Sequence, residues 1–162
     1  MKFCFDKKDF VEKDYLPNNY AVIGDDFELT WTEFSSKVEE LCMEFKNKSI
    51  QDLKYPVVIY GHKSANMLVA MYAMMKLEIA YIPIDVIYPD ERVAKVMSLS
   101  KCQFVINTTK EALSITGVTE LFLKKDLFEY GQQEVNYELS DKIQDPLVYI
   151  IFTSGSTGEP KG

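Results

Sequence analysis

The chain has 162 residues, a net charge of −7 and a pI near 4.8, an acidic balance that argues against nonspecific nucleic-acid binding. With 47% apolar, 27% charged and 13% aromatic residues, its composition is that of a folded globular domain and excludes a disordered chain. Cys4, Cys42 and Cys102 are odd in number and form no CxxC pair, which points to reduced, buried thiols in the cytosol; neither a disulfide framework nor a zinc site is indicated.

The start, Met1-Lys2-Phe3-Cys4-Phe5-Asp6-Lys7-Lys8, lacks the apolar region of a signal peptide. Residues 67–75 form the longest uncharged apolar run, nine residues against the roughly 20 that a membrane span needs. Residues 1–19 mix charges and aromatics and end in the turn signal Leu16-Pro17-Asn18-Asn19. Residues 20–23 and 27–29, flanking Gly24-Asp25-Asp26, read as a short hairpin. Thr30 and Glu33 have capping-box spacing, and Trp31, Phe34, Val38, Leu41 and Phe45 recur every three or four residues, predicting an amphipathic helix of about 16 residues.

Residues 57–60 are a compact apolar run suited to a strand buried on both faces. Gly61-His62-Lys63 makes a turn, Ser64 caps the next helix, and residues 65–77 are apolar nearly all round, which predicts an interior helix. Its Met67, Met71, Met74 and Met75 read as adaptable core filler. His62 is the only histidine, so a two-histidine metal site is excluded, and nothing beyond its type gives it a nucleophile-activating role.

A second strand covers residues 80–84 and ends at Asp85; Pro89 suits a first helical position, and Val93, Val96, Met97 and Ser100 continue a helix. Asp85, Asp90 and Glu91 read as solvated charges at that helix start, not as an acid–base pair. Residues 104–106 and 121–123 read as strands, with a short helix near 110–114 between them and a polar connector over 132–145. The β-α-β-α-β alternation predicts an α/β fold with a largely parallel sheet flanked by helices, whose ligands gather at the carboxyl ends of the strands.

Residues 149–152 are an apolar run read as a buried strand, and they lead into Thr153-Ser154-Gly155-Ser156-Thr157-Gly158-Glu159-Pro160-Lys161-Gly162. Gly155 and Gly158 allow backbone N–H groups to converge on an anion. Thr153, Ser154, Ser156 and Thr157 add hydroxyl donors, and Lys161 adds a mobile positive charge. This is a phosphate-holding loop. It is not a Walker loop, because Pro160 stands at the second glycine position and Gly162 follows the lysine; both predict that the chain returns as a turn or strand, which speaks against a P-loop kinase or ATPase.

That decamer resembles the phosphate loop of the adenylate-forming ligases: acyl-CoA synthetases, peptide-synthetase adenylation domains and D-alanine:carrier-protein ligases. Leu29-Thr30-Trp31-Thr32-Glu33-Phe34 is similar to the opening helix of that superfamily. Lys76-Leu77-Glu78-Ile79-Ala80-Tyr81-Ile82-Pro83-Ile84-Asp85 and Tyr88-Pro89-Asp90-Glu91-Arg92 resemble its second block, with Glu78 where glycine is usual. Tyr60-Gly61-His62 is similar to a strand end of the D-alanine ligases.

The resemblance implies ATP and Mg2+ as cofactors, a small-molecule amino acid such as D-alanine as substrate, and a phosphopantetheinylated carrier protein as acceptor, with no nucleic-acid partner. It implies phosphate contacts from Thr153, Ser154, Gly155, Ser156, Thr157, Gly158 and Lys161. No catalytic residue and no metal ligand is expected within the chain, because the adenine block, the ribose aspartate and the late catalytic lysine of the superfamily have no counterpart here. Residues 1–162 are therefore expected to be the N-terminal part of an adenylation domain, inactive alone. The alternatives are a peptide-synthetase adenylation domain, an acyl-CoA ligase, and a non-catalytic nucleotide-binding or interaction module.

Overall fold

The computed structural model describes residues 19–23, 28–48, 53–123, 128–130, 147–154 and 160–162, with side chains at all of these except 128–130 and 154. In chain order the elements are β1 (Tyr20–Ile23), β2 (Glu28–Thr30), α1 (Trp31–Asn47), β3 (Val57–Gly61), α2 (Ala65–Leu77), β4 (Tyr81–Asp85), α3 (Asp90–Ser100), β5 (Phe104–Asn107), β6 (Thr119–Leu123), β7 (Phe128–Tyr130), β8 (Thr153–Ser154) and β9 (Pro160–Lys161). A five-stranded sheet in the order β4-β3-β5-β6-β7 forms the centre. Its first four strands are parallel and β7 is antiparallel. The expected α/β architecture is thus present. β1 and β2 form the expected antiparallel hairpin, whose connecting turn lies outside the described residues, as do the polar connector and most of the N-terminal stretch.

The strands alternate between two cores because successive side chains point to opposite faces. Val57, Ile59, Phe104, Ile106 and Leu121 pack with α1 and α2 on one face. Val58, Ile82, Ile84 and Val105 pack with Val93, Val96 and Met97 of α3 on the other. α1 is held at its start by the capping box: Thr30 Oγ1 accepts from Glu33 N–H at 3.3 Å, and Glu33 Oε2 accepts from Thr30 N–H at 2.8 Å. Edge-to-face pairs, Phe34 on Tyr72 at 5.0 Å and Phe45 on Phe104 at 5.3 Å, tie α1 to α2 and to the sheet. Ser64 caps α2, accepting from Met67 N–H at 3.2 Å, and the four methionines pack in or against the first core. At the far end of α2, Glu78 takes the left-handed conformation, φ 60 and ψ 33, which is why glycine is the better residue there.

Four expectations require correction. Residues 110–114 are not helical: buried Asn107 accepts from Thr109 N–H at 2.8 Å and donates from Nδ2 to Glu111 O at 2.8 Å, so its side chain takes backbone groups that a helix would need. Pro89 is the N-cap of α3, one residue before the expected position, and Asp90 and Glu91 form the acidic first turn. Asp85 is not at that helix start; it ends β4. Finally, residues 149–152 are not a buried strand. Only Tyr149 bridges the sheet, parallel to Tyr81 of β4, and the regular pairing begins at Thr153. Ile150 and Phe152 touch the second core while Tyr149 is 53% and Ile151 58% exposed, because the segment lies along the outer flank of an edge strand and has one covered face. β7 is an element that the sequence reading did not include.

Candidate nucleotide site

The parallel strands β3, β4 and β5 deliver their carboxyl ends to one edge. After β3 the chain crosses by α2 to β4 on one side, and after β4 it crosses by α3, on the opposite face, to β5 on the other side, so strand order reverses at β3 and the β3/β5 boundary is the topological switch point, where a parallel sheet opens a crevice for ligands. The neighbouring β3/β4 boundary is bridged. Val86 N–H donates to Gly61 O at 3.3 Å, and His62 Nδ1 lies 2.8 Å and 3.0 Å from the two Asp85 carboxylate oxygens. Asp85 Oδ1 also accepts from Ile87 N–H at 3.1 Å. Partial burial works to raise the Asp85 carboxyl, but the Ile87 amide, the His62 ring and nearby Lys63 outweigh it and hold the group below the ordinary carboxylate value.

On the β5 side of β3 the join is closer still. Thr108 donates to Tyr60 O through N at 2.8 Å and through Oγ1 at 3.1 Å, and its hydroxyl occupies the space a Cβ on Gly61 would need, 1.9 Å away. Burial first, then Asp90, Asp85, Glu111 and Glu120, push the Tyr60 hydroxyl pKa up. Four carboxylates near one phenol make this part of the edge negative and unfavourable for a phosphate.

The segment that leads to the glycine-rich stretch, residues 148–150, lies on the other side of β4. Tyr81 N–H donates to Val148 O at 3.2 Å and Ile150 N–H to Tyr81 O at 2.9 Å, which run the approach alongside β4. β8 then pairs antiparallel with β9, Thr153 opposite Lys161 and Ser154 opposite Pro160, so the chain returns as a strand, as Pro160 and Gly162 predict. The Thr153 hydroxyl reaches Lys161 O at 3.5 Å, and both residues are exposed. A Cβ on Gly162 would lie 2.8 Å from the Phe152 ring, so glycine lets the return strand lie against that ring. Of the residues expected to bind phosphate, Thr153 and Lys161 are brought together across this hairpin and Ser154 pairs beside them. Gly155, Ser156, Thr157 and Gly158 lie outside the described residues.

The chain matches the AMP-binding enzyme family over residues 12–162. It belongs to that family. A D-alanine--D-alanyl carrier protein ligase from Staphylococcus epidermidis is 35% identical over 153 residues, covering 94% of this chain and 30% of the relative. The structure of O-succinylbenzoate coenzyme A synthetase from Bacillus subtilis, in complex with AMP, covers 90% of this chain and 38% of its own, with TM-score 0.65 at 18% identity. CmiS6 covers 91% and 36%, with TM-score 0.75 at 16% identity. The two structures support the fold. The chain spans less than two fifths of each of these proteins.

The His62–Asp85 pair escaped the sequence reading. The one available signal was that Asp85 directly follows one apolar strand run and His62 follows another after a single glycine, which sends both to the same sheet edge. A cleft of about 580 Å3 lined by Tyr55, Met97, Lys101, Gln103 and Ile115 opens at the amino ends of the strands, away from the hairpin. Buried Cys42 and Cys102 are free thiols, each pushed up to about 11, chiefly by burial, which leaves them unreactive. Among the described residues no helix is long and apolar enough to cross a membrane.

Proposed function

We propose that this chain supplies the phosphate-handling corner of a cytosolic ligase that activates an amino acid, D-alanine first among candidates, and passes it to the phosphopantetheine thiol of a carrier protein. In this reading the substrate carboxylate attacks the α-phosphorus of ATP, pyrophosphate leaves, and the thiol then takes the acyl group from the adenylate. The observation that carries the reading is the β8–β9 return, which puts the Lys161 strand opposite Thr153. The 35% identity to a D-alanine--D-alanyl carrier protein ligase supports the substrate and acceptor.

The residues fit a polyphosphate. Charge builds on the β and γ phosphates as the bond to the α-phosphorus breaks, and hydroxyls, free N–H groups and one cation stabilise it there. Thr153, Ser154, Ser156 and Thr157 would donate hydroxyls, Gly155 and Gly158 would let the backbone close in, and Lys161 would neutralise the terminal phosphates. The acidic surroundings of Tyr60 favour the hairpin over the β3 crevice as the phosphate seat. Magnesium would arrive on the nucleotide, held by its phosphates.

The test is amino-acid-dependent exchange of pyrophosphate into ATP by the complete ligase. D-alanine is expected to support exchange above other amino acids, with dependence on Lys161. Exchange that ignores D-alanine overturns the substrate; nucleotide affinity that ignores Lys161 overturns the site. The 162-residue chain alone is expected to show no exchange.

A further inference from the structure

We propose that His62 is a positioning residue: clasped to Asp85 across the β3/β4 boundary, it holds the end of β4 in register with the start of the phosphate loop. The proposal rests on the reading of the hairpin as that loop.

Three observations lead to it. First, the loop starts from a segment that β4 carries. Asp85 and Thr153 each lie four residues beyond the bridged pair Tyr81 and Tyr149, and Ile150 and Phe152 pack on the same core as Ile84, so a shift of β4 is passed to the start of the loop. Second, the Asp85 carboxylate is a junction. It accepts from His62 on β3's side and from Ile87 N–H in the loop to α3, while Asp85 O accepts from Tyr88 N–H at 3.1 Å. Without the His62 bond, the ionised carboxylate keeps only its own loop, and no other side-chain bond crosses this boundary among the described residues. Third, the backbone needs the brace. Gly61 and Asp85 are the last register pair of β3 and β4; beyond them the chains diverge to opposite faces, and Lys63 takes φ 31 in making its turn.

The pair is also built to persist. Asp85 stays ionised because its pKa is held down, and its side chain is 28% exposed against 52% for His62, so the bond is shielded on the carboxylate side only. His62 donates from Nδ1, which leaves Nε2 without a partner among the described residues. Asparagine at position 62 could place an N–H near the Nδ1 position; phenylalanine would keep the ring and lose the donor.

The test compares the complete ligase with its His62→Phe, His62→Asn and Asp85→Asn variants by backbone amide exchange at Ile87, Ile150, Thr153 and Lys161, and by titration with Mg-ATP and with inorganic pyrophosphate. His62→Phe and Asp85→Asn are expected to speed exchange at all four amides and to weaken pyrophosphate binding roughly three- to tenfold, the scale of one partly exposed charge-assisted bond. The double variant should be no worse than either single, and His62→Asn should recover most of the loss. Faster exchange at Ile87 alone, with Thr153 and Lys161 unchanged, would reduce the pair to a local brace and overturn the proposal. So would His62→Asn behaving like His62→Phe. If the unmodified complete ligase binds neither ligand, the phosphate reading falls while the exchange data still decide the clasp.

Discussion

Replacing Gly61 by alanine isolates the packing that closes the sheet edge. The φ of Gly61 is not positive, so the backbone accepts alanine and any penalty comes from space. The added Cβ would lie 1.9 Å from Thr108 Oγ1 and 3.3 Å from Thr108 Cβ. Forced overpacking costs about 1–3 kcal/mol. If Thr108 swings away, its bond to Tyr60 O is lost as well, about 1 kcal/mol. Gly61→Ala should therefore destabilise the chain by about 2–4 kcal/mol in urea unfolding followed by circular dichroism. Thr108→Ala alone should cost about 1 kcal/mol. The double variant should cost little more than Thr108→Ala, because only the 3.3 Å contact remains to be relieved. A Gly61→Ala variant within about 0.5 kcal/mol of the parent, or a double variant whose loss equals both singles added, would refute the steric account.

Lys161→Met should weaken Mg-ATP binding in the complete ligase by about 1.5–3 kcal/mol, read as a roughly ten- to 150-fold rise in Kd by calorimetry, with the unfolding midpoint unchanged. Glu78→Gly should stabilise the chain by about 1 kcal/mol, because the left-handed C-cap at φ 60 suits glycine; the urea midpoint reports it. Cys42 and Cys102, raised by burial to about 11, should resist alkylation at about pH 8 unless the chain is unfolded, as mass spectrometry of trapped thiols would show. Since both folded pKa values lie above the unfolded one, the stability these thiols contribute is complete below the unfolded value. It fades as pH rises toward about 11, so the urea midpoint should fall over that alkaline range.

Much of the architecture was legible because its signals are local. The capping box at Thr30, the serine cap at Ser64, the unbroken apolar run of β3 and the alternation of helix and strand each depend on neighbours within a few residues. The candidate loop is contiguous in sequence, and the part of it that the structure describes is its return: Pro160 with Gly162 pointed to a turn or strand, and β9 pairs with β8. The misreadings share a cause in contacts between distant segments. Residues 110–114 have helix-compatible composition, yet a buried Asn107 redirects their backbone. Residues 149–152 are as apolar as β3, but they lie on the outside of β4, where a strand has one covered face and one open flank.

The order of residues by itself determined most of the helices and strands, which faces of them are apolar, and that a candidate loop of glycines, hydroxyls and a lysine follows the last apolar run. All of these follow from periodicity, capping and side-chain chemistry along a single stretch of chain. Only the tertiary structure decided that β4 stands beside the segment leading to that loop, that β3 sends its helix to one face and β4 to the other, and that His62 meets Asp85 between them. Those two residues are 23 positions apart. Side chains so separated are brought within bonding distance by strand order and register, and these are chosen by how two helices and two cores pack against one sheet, a choice that no local segment of the sequence carries.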